Sequence, residues 1–241
     1  MWLRFTTFAL LPIIVLQGFK VRKTIPRLAE PSGEREGISG RGLPLSLLIL
    51  GDSAAAGVGV DTQKQALSGA ILTNLENEYC INWKLQAQTG HTSKQVLRDL
   101  QQLDSRNYDV IVTSVGVNDV TQLIPVKKWL KQQQQLFTQL QNRFQPKVII
   151  VFSVPPMQHF PALPNPLAWL LGKYAKQMNQ SLQQYLALQD QFRWIENDIK
   201  ILQALNLPMA RDGFHPDKEI YAFWGEQVAN IIKAMSSSKL N

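Results

Sequence analysis

The chain has almost none of the residues that metal clusters and disulfides require. Of its 241 residues one is cysteine, Cys80, and three are histidine. That excludes an internal disulfide framework and any multi-cysteine zinc or iron–sulfur site, and it leaves little for a histidine cluster. Charge is sparse too: Asp, Glu, Lys and Arg make up 18%, below the roughly 25% of an ordinary domain. Glutamine takes part of their place, as in the run Gln132 to Gln135. The net charge of +7 raises nucleic acid as a partner. However, Arg4, Lys20, Arg22, Lys23, Arg27 and Arg35 all lie in the first 40 residues. The rest has no basic run and no interleaved aromatics, so no nucleic-acid partner is expected. What the chain does have is apolar mass. Hydrophobic residues reach 45%, which argues against disorder, and the length suits one large domain or two small ones.

The beginning stands apart. Phe5 to Phe19 is uncharged and mostly apolar, with Arg4 before it and Lys20, Arg22 and Lys23 after it. It is short beside the ~20 residues that span a bilayer, and it contains Pro12. Gln17-Gly18-Phe19-Lys20 offers no small-x-small cleavage site. Membrane association through residues 2–23 is therefore expected, either as a short uncleaved anchor or as an interfacial helix on anionic lipid. A spanning helix with this heavier C-terminal positive flank would leave the main domain in the cytoplasm. A leader cut at an unrecognised site would instead make it periplasmic or secreted. Residues 24–42, rich in Gly and Pro among alternating charges, read as a linker. A domain over 43–235 and a polar tail over 236–241 follow.

Within that domain, short apolar runs end in glycine or proline. Leu45 to Leu50 stops at Gly51, Asp109 to Val115 at Gly116, and Lys147 to Phe152 near Pro155. These read as buried parallel strands. Ile81 to Gln88 reads as an edge strand because of Asn82 and Lys84, and Phe192 to Ile195 as a short fifth one. Helical spacing fills 63–77, 125–143, 167–188 and 219–235, with the glutamine run on a solvated face. Alternation of this kind predicts one α/β domain with a parallel sheet of about five strands covered on both faces.

Ligands of open parallel sheets bind at the carboxyl ends of the strands. The polar residues expected there are Gly51-Asp52-Ser53, Gly90-His91, Gly116-Val117-Asn118-Asp119 and, before the last helix, Asp212-Gly213-Phe214-His215-Pro216. A serine at a strand-to-helix turn lifts its hydroxyl above the sheet, near a helix N-terminus that favours negative charge. Serine needs an adjacent base, and the base needs orientation. The three-residue spacing lets Asp212 accept the Nδ1 proton of His215, leaving Nε2 for Ser53. The N–H groups of Ser53 and Gly90 and the Asn118 amide are available as oxyanion donors. The serine context is not the Gly-x-Ser-x-Gly of α/β-hydrolases, and no dinucleotide fingerprint or P-loop lysine is present. Asp52 and Asp119 read as braces of turns.

Taken together, these four blocks resemble the SGNH hydrolases, or GDSL esterases/lipases. Gly-Asp-Ser matches 51–53, the second-block glycine Gly90, Gly-x-Asn-Asp 116–119 and Asp-x-x-His-Pro 212–216, within a resemblance spanning about 46–232. It implies a flavodoxin-like three-layer α/β/α sandwich, a Ser53–His215–Asp212 triad, and an oxyanion hole from Ser53, Gly90 and Asn118. It implies no metal and no organic cofactor. The expected activity is cleavage of carboxylic esters, lipid-like or lysophospholipid-like, through an acyl-enzyme. A carbohydrate O-deacetylase or acyl thioesterase on the same triad is the alternative, and a non-catalytic lipid-binding protein a third reading. The proline-rich stretch Val154 to Leu167 borders the expected cleft, making Met157, Phe160 and Leu163, with His91, the candidate substrate contacts.

Overall fold

The computed structural model describes residues 2–237. In chain order the elements are α1 (Trp2–Thr24), β1 (Glu36–Ser39), β2 (Leu43–Gly51), α2 (Ser53–Ala56), α3 (Leu67–Leu75), β3 (Tyr79–Ala87) and α4 (Ser93–Asp99). There follow β4 (Val110–Ser114), α5 (Val117–Thr121), α6 (Val126–Phe144), β5 (Val148–Phe152), α7 (Leu167–Leu186), β6 (Phe192–Ile195), α8 (Ile199–Ala204) and α9 (Lys218–Ser237). The six strands form one sheet in the order β1-β3-β2-β4-β5-β6, parallel except for β1. The expected tail at 236–241 lies largely outside the described residues.

Period-two alternation in the central strands builds the three layers. Leu48, Leu50, Ile111, Ile149 and Val151 face one way, into a core closed by α4, α6 and α7 through Val96, Trp129, Phe137 and Met178. Leu47, Ile49, Val112, Ile150 and Phe152 face the other way, onto Ile71 of α3 and Tyr221, Trp224 and Val228 of α9. Both faces being covered, β2, β4 and β5 read as continuous apolar runs.

Two sequence expectations change. The stretch 24–42 is laced onto the domain: Glu36 to Ser39 pairs antiparallel with Lys84 to Ile81, and Lys84 makes an ion pair with Glu36. The sheet therefore has six strands, and β3 is not its edge. Asn82 and Lys84 belong to a strand whose outer neighbour is short. The glutamines of α6 also divide. Gln132 and Gln133 are buried, and Gln133 Nε2 donates to Ser93 Oγ at 2.8 Å.

Helix α1 runs through Pro12 without interruption and lies against α7. Ile14 is buried in the core, with Leu10 and Val21 beside it. Gln17 accepts from Leu167 N–H at 3.0 Å and donates to Asn165 C=O at 2.6 Å. These four positions share one helical face. Around the remainder Leu11, Ile13, Val15, Leu16 and Phe19 are exposed. Among the described residues no helix is long and apolar enough to cross a membrane.

Candidate active site

From β2 the chain steps to β3 on one side and then crosses back to β4 on the other. This reversal leaves a crevice beyond the carboxyl end of β2, flanked by the loops that follow β3 and β4. Ser53, Gly90 and Asn118 stand in the segments that follow β2, β3 and β4.

The turn carrying Ser53 is tight. A Cβ at Gly51 would sit 2.0 Å from the Ser114 carbonyl oxygen, so only glycine lets β2 and β4 approach this closely at their ends. Asp52 then staples the turn. Its N–H donates to Ser114 C=O at 3.0 Å, while its carboxylate accepts from Ala54 N–H at 3.1 Å and Gly116 N–H at 3.4 Å. Burial raises the Asp52 carboxyl to about 6, against the lowering effect of those two N–H groups and of His215. The helix after Ser53 is a single turn of four residues, so it supplies an orphan N–H rather than a sizeable dipole.

Asp212 and His215 reach Ser53 from the loop before α9. His215 Nε2 lies 2.9 Å from Ser53 Oγ, and Nδ1 lies 2.6 Å from Asp212 Oδ2. The other Asp212 oxygen accepts from the N–H groups of Phe214 and His215, at 2.9 and 3.0 Å. Burial acts to raise the Asp212 carboxyl, but the hydrogen bonds and charge of His215 outweigh it and hold the group below its usual value. An ionised carboxylate therefore fixes the imidazole with Nδ1 as donor and Nε2 facing the hydroxyl.

On the opposite side, Asn118 Nδ2 donates to the His91 carbonyl at 3.0 Å, bridging the loops after β3 and β4 across the end of β2. Gly90 has φ +85° and its N–H finds no acceptor among the described residues. Beside this bridge Asp119 accepts from Ser93 N–H and Oγ at 2.9 and 2.8 Å, and burial raises its carboxyl. Asp119 is thus a brace between the two loops.

A cavity of about 270 Å³ opens from Ser53 and His215. Val117, Val154, Pro155, Phe160, Phe214, Leu207, Met209, Ile220 and Trp224 form its apolar wall. Of the candidate substrate contacts, Phe160 lines it. Met157 and Leu163 are buried in the core instead, and His91 turns its ring away to Asp99, with Nδ1 2.8 Å from Oδ2. Sequence spacing missed Ile220 and Trp224 because their four-residue interval on α9 is also that of a core-facing helix. Exposed His159, in the loop after β5, lines the cavity as well. Among the described residues no group of three His, Cys, Asp or Glu side chains could hold a metal ion.

No curated protein matches the chain. Among solved structures, a psychrotrophic esterase from Pseudoalteromonas sp. superposes with a TM-score of 0.58 at 20% identity, over 80% of this chain and 98% of that one. A lipase from a goat rumen metagenome gives 0.60 at 18%, over 76% and 95%. A carbohydrate acetylesterase from Sinorhizobium meliloti gives 0.58 at 17%, over 79% and 99%. The fold is thus one that esterases use. The profile of the GDSL-like lipase/acylhydrolase family matches residues 49–223, and the chain belongs to that family of carboxylic ester hydrolases.

Proposed function

We propose that the protein is a serine esterase acting on lipid-like esters of medium acyl length, with Ser53, His215 and Asp212 as its triad. The observation that carries this is the Ser53–His215–Asp212 relay, at 2.9 and 2.6 Å, at the mouth of an apolar cavity. Ser53 Oγ attacks the ester carbonyl while His215 Nε2 takes its proton, and Asp212 stabilises the imidazolium. The N–H groups of Ser53 and Gly90 and the free N–H of the Asn118 amide receive the oxyanion. The proton on His215 passes to the departing alcohol. A water molecule, deprotonated by the same imidazole, then releases the acid from the acyl-enzyme. No metal or organic cofactor enters this scheme. Ser53→Ala should abolish hydrolysis of p-nitrophenyl octanoate with the circular dichroism spectrum and melting temperature unchanged. Near-normal turnover in that variant would refute the triad.

The uncovered side of α1 supports association with a membrane surface. Leu11, Ile13, Val15, Leu16 and Phe19 are exposed, the helix contains no acidic residue, and Lys20, Arg22 and Lys23 follow them. An apolar stripe with cations at its end suits the anionic face of a bilayer, and such lipids line the cytoplasmic leaflet. Since Gln17 ties α1 to the start of α7, directly after the loop carrying Phe160, substrate would enter from lipid. Leu16→Glu with Phe19→Glu should reduce sedimentation with phosphatidylglycerol vesicles at least tenfold while leaving hydrolysis of a dissolved butanoate ester intact. Undiminished sedimentation would remove this part of the reading.

A second reading, deacetylation of carbohydrate, has one observation in its favour. A groove of about 510 Å³ adjoins the cavity at Val154 and Asn197 and is lined by Trp169, Lys173, Lys176, Gln180 and Glu196. Polar side chains around one aromatic ring suit a sugar. Activity on acetylated xylan exceeding that on octanoate would favour it.

A further inference from the structure

Gly90 is an exposed point on the loop after β3: a Cβ there would meet no atom within 4 Å. Packing therefore does not hold this donor in place, yet an oxyanion donor acts only if it is fixed before the reaction. Polar ties on both flanking residues take over that task. On one side Glu30 Oε1 accepts from Thr89 N–H and from Thr89 Oγ1, both at 2.7 Å. Glu30 is itself anchored by Arg35 Nη1 on its other oxygen at 2.7 Å, and Arg35 reaches on to the Ala87 carbonyl at the end of β3. On the other side the buried pair His91–Asp99 closes at 2.8 Å, with Arg98 Nε on the second Asp99 oxygen at 3.3 Å. The His91 carbonyl in turn receives the Asn118 amide. The two carboxylates come from distant parts of the chain, one before the sheet begins and one at the end of α4.

We infer that Glu30 and the His91–Asp99 pair are positioning residues that clamp Gly90 between them and, through the His91 carbonyl, aim the Asn118 amide at the oxyanion. The inference rests on the reading of Gly90 and Asn118 as oxyanion donors. The stretch before β2 is then part of the catalytic apparatus rather than a tether. Neither residue touches substrate, so loosening the clamp weakens stabilisation of the transition state and leaves ground-state binding alone. A displacement near 1 Å at a reacting centre costs up to about 10²-fold.

The test measures kcat and KM separately on p-nitrophenyl octanoate for the full-length protein. Glu30→Ala and His91→Ala should each lower kcat about 10- to 100-fold with KM within twofold. Glu30→Gln should retain most of the activity, because its amide oxygen still accepts from both Thr89 donors. A structural defect alone would not produce that rescue together with an unchanged KM. If an alanine variant fails to fold, the comparison of Glu30→Gln with Glu30→Lys, which removes the acceptor at similar length, is read instead. Asn118→Ala separates the two levels of the argument, with a loss of about 10²–10³ in kcat expected for one oxyanion donor. Full activity in Asn118→Ala would overturn the donor reading itself. Loss there, with unchanged kcat or a raised KM in the Glu30 and His91 variants, would overturn the clamp alone.

Discussion

On the proposal that the cavity takes the acyl chain, its volume bounds the chain length, and the dependence can be worked out. A cavity of about 270 Å³ is on the scale of a medium-length acyl chain, at ~30 Å³ for each group of water or methylene size. Each methylene buried against Val154, Leu207, Ile220 and Trp224 is worth about 0.8 kcal/mol, a factor of about four. Along a p-nitrophenyl ester series, kcat/KM should climb about fourfold per carbon from acetyl, level near octanoyl and fall by palmitoyl. Trp224→Ala opens the wall and should move the plateau to longer chains. Series run below the micelle concentration, each beside Ser53→Ala, supply the slope. A maximum at acetyl with no gain to butanoyl would refute the assignment of this cavity to the acyl chain and move the substrate toward acetylated carbohydrate.

Two further outcomes follow from single groups. Asp52 holds its proton more tightly folded, at about 6, than the ordinary aspartate value of the unfolded chain. Below pH ~4 it is protonated in both states, so it destabilises the fold progressively as pH rises from about 4 to 6 and by a constant amount above that. Urea unfolding of Asp52→Asn should show that loss missing, so that wild type minus variant declines by about 3 kcal/mol across this window; parallel profiles would refute the burial argument. Gln17→Ala removes the two hydrogen bonds that tie Gln17 of α1 to Asn165 and Leu167. Amide exchange over residues 10–24 should accelerate about tenfold, matching a loss near 1–2 kcal/mol, while hydrolysis of a dissolved butanoate stays constant.

The legible parts of this protein are those where one physical requirement dominates. Leu47 to Leu50, Val110 to Ser114 and Val148 to Phe152 are buried on both faces, which leaves little choice but compact, mostly apolar residues. Ser53 and Asn118 stand in the short helices that follow β2 and β4, and Asp212 and His215 on the loop before α9, so all four fall outside the apolar runs and show in the sequence as polar blocks. The illegible parts are those fixed by a partner far along the chain. Glu36-Gly37-Ile38-Ser39 has no strand signal of its own and is a strand because β3 offers an unpaired edge. Gln133 is buried because Ser93, forty residues earlier, takes its amide. His91 sits beside Gly90 yet faces Asp99, since a ring direction is set by the acceptor it finds and not by its neighbours in sequence.

The same distant ties explain why the site's short blocks occur together in one chain. Asp52 of the first block accepts from Gly116 of the third, Asn118 of the third donates to His91 of the second, and Asp119 holds Ser93 beyond it. The last block closes on the first through Ser53 and His215. Each block thus satisfies polar groups of another, and removing one leaves an unpaired partner elsewhere in the series. Substitutions at Asp52, Asn118 and Asp119 should accordingly combine with less than additive losses, since the first already loosens the loop the second would release.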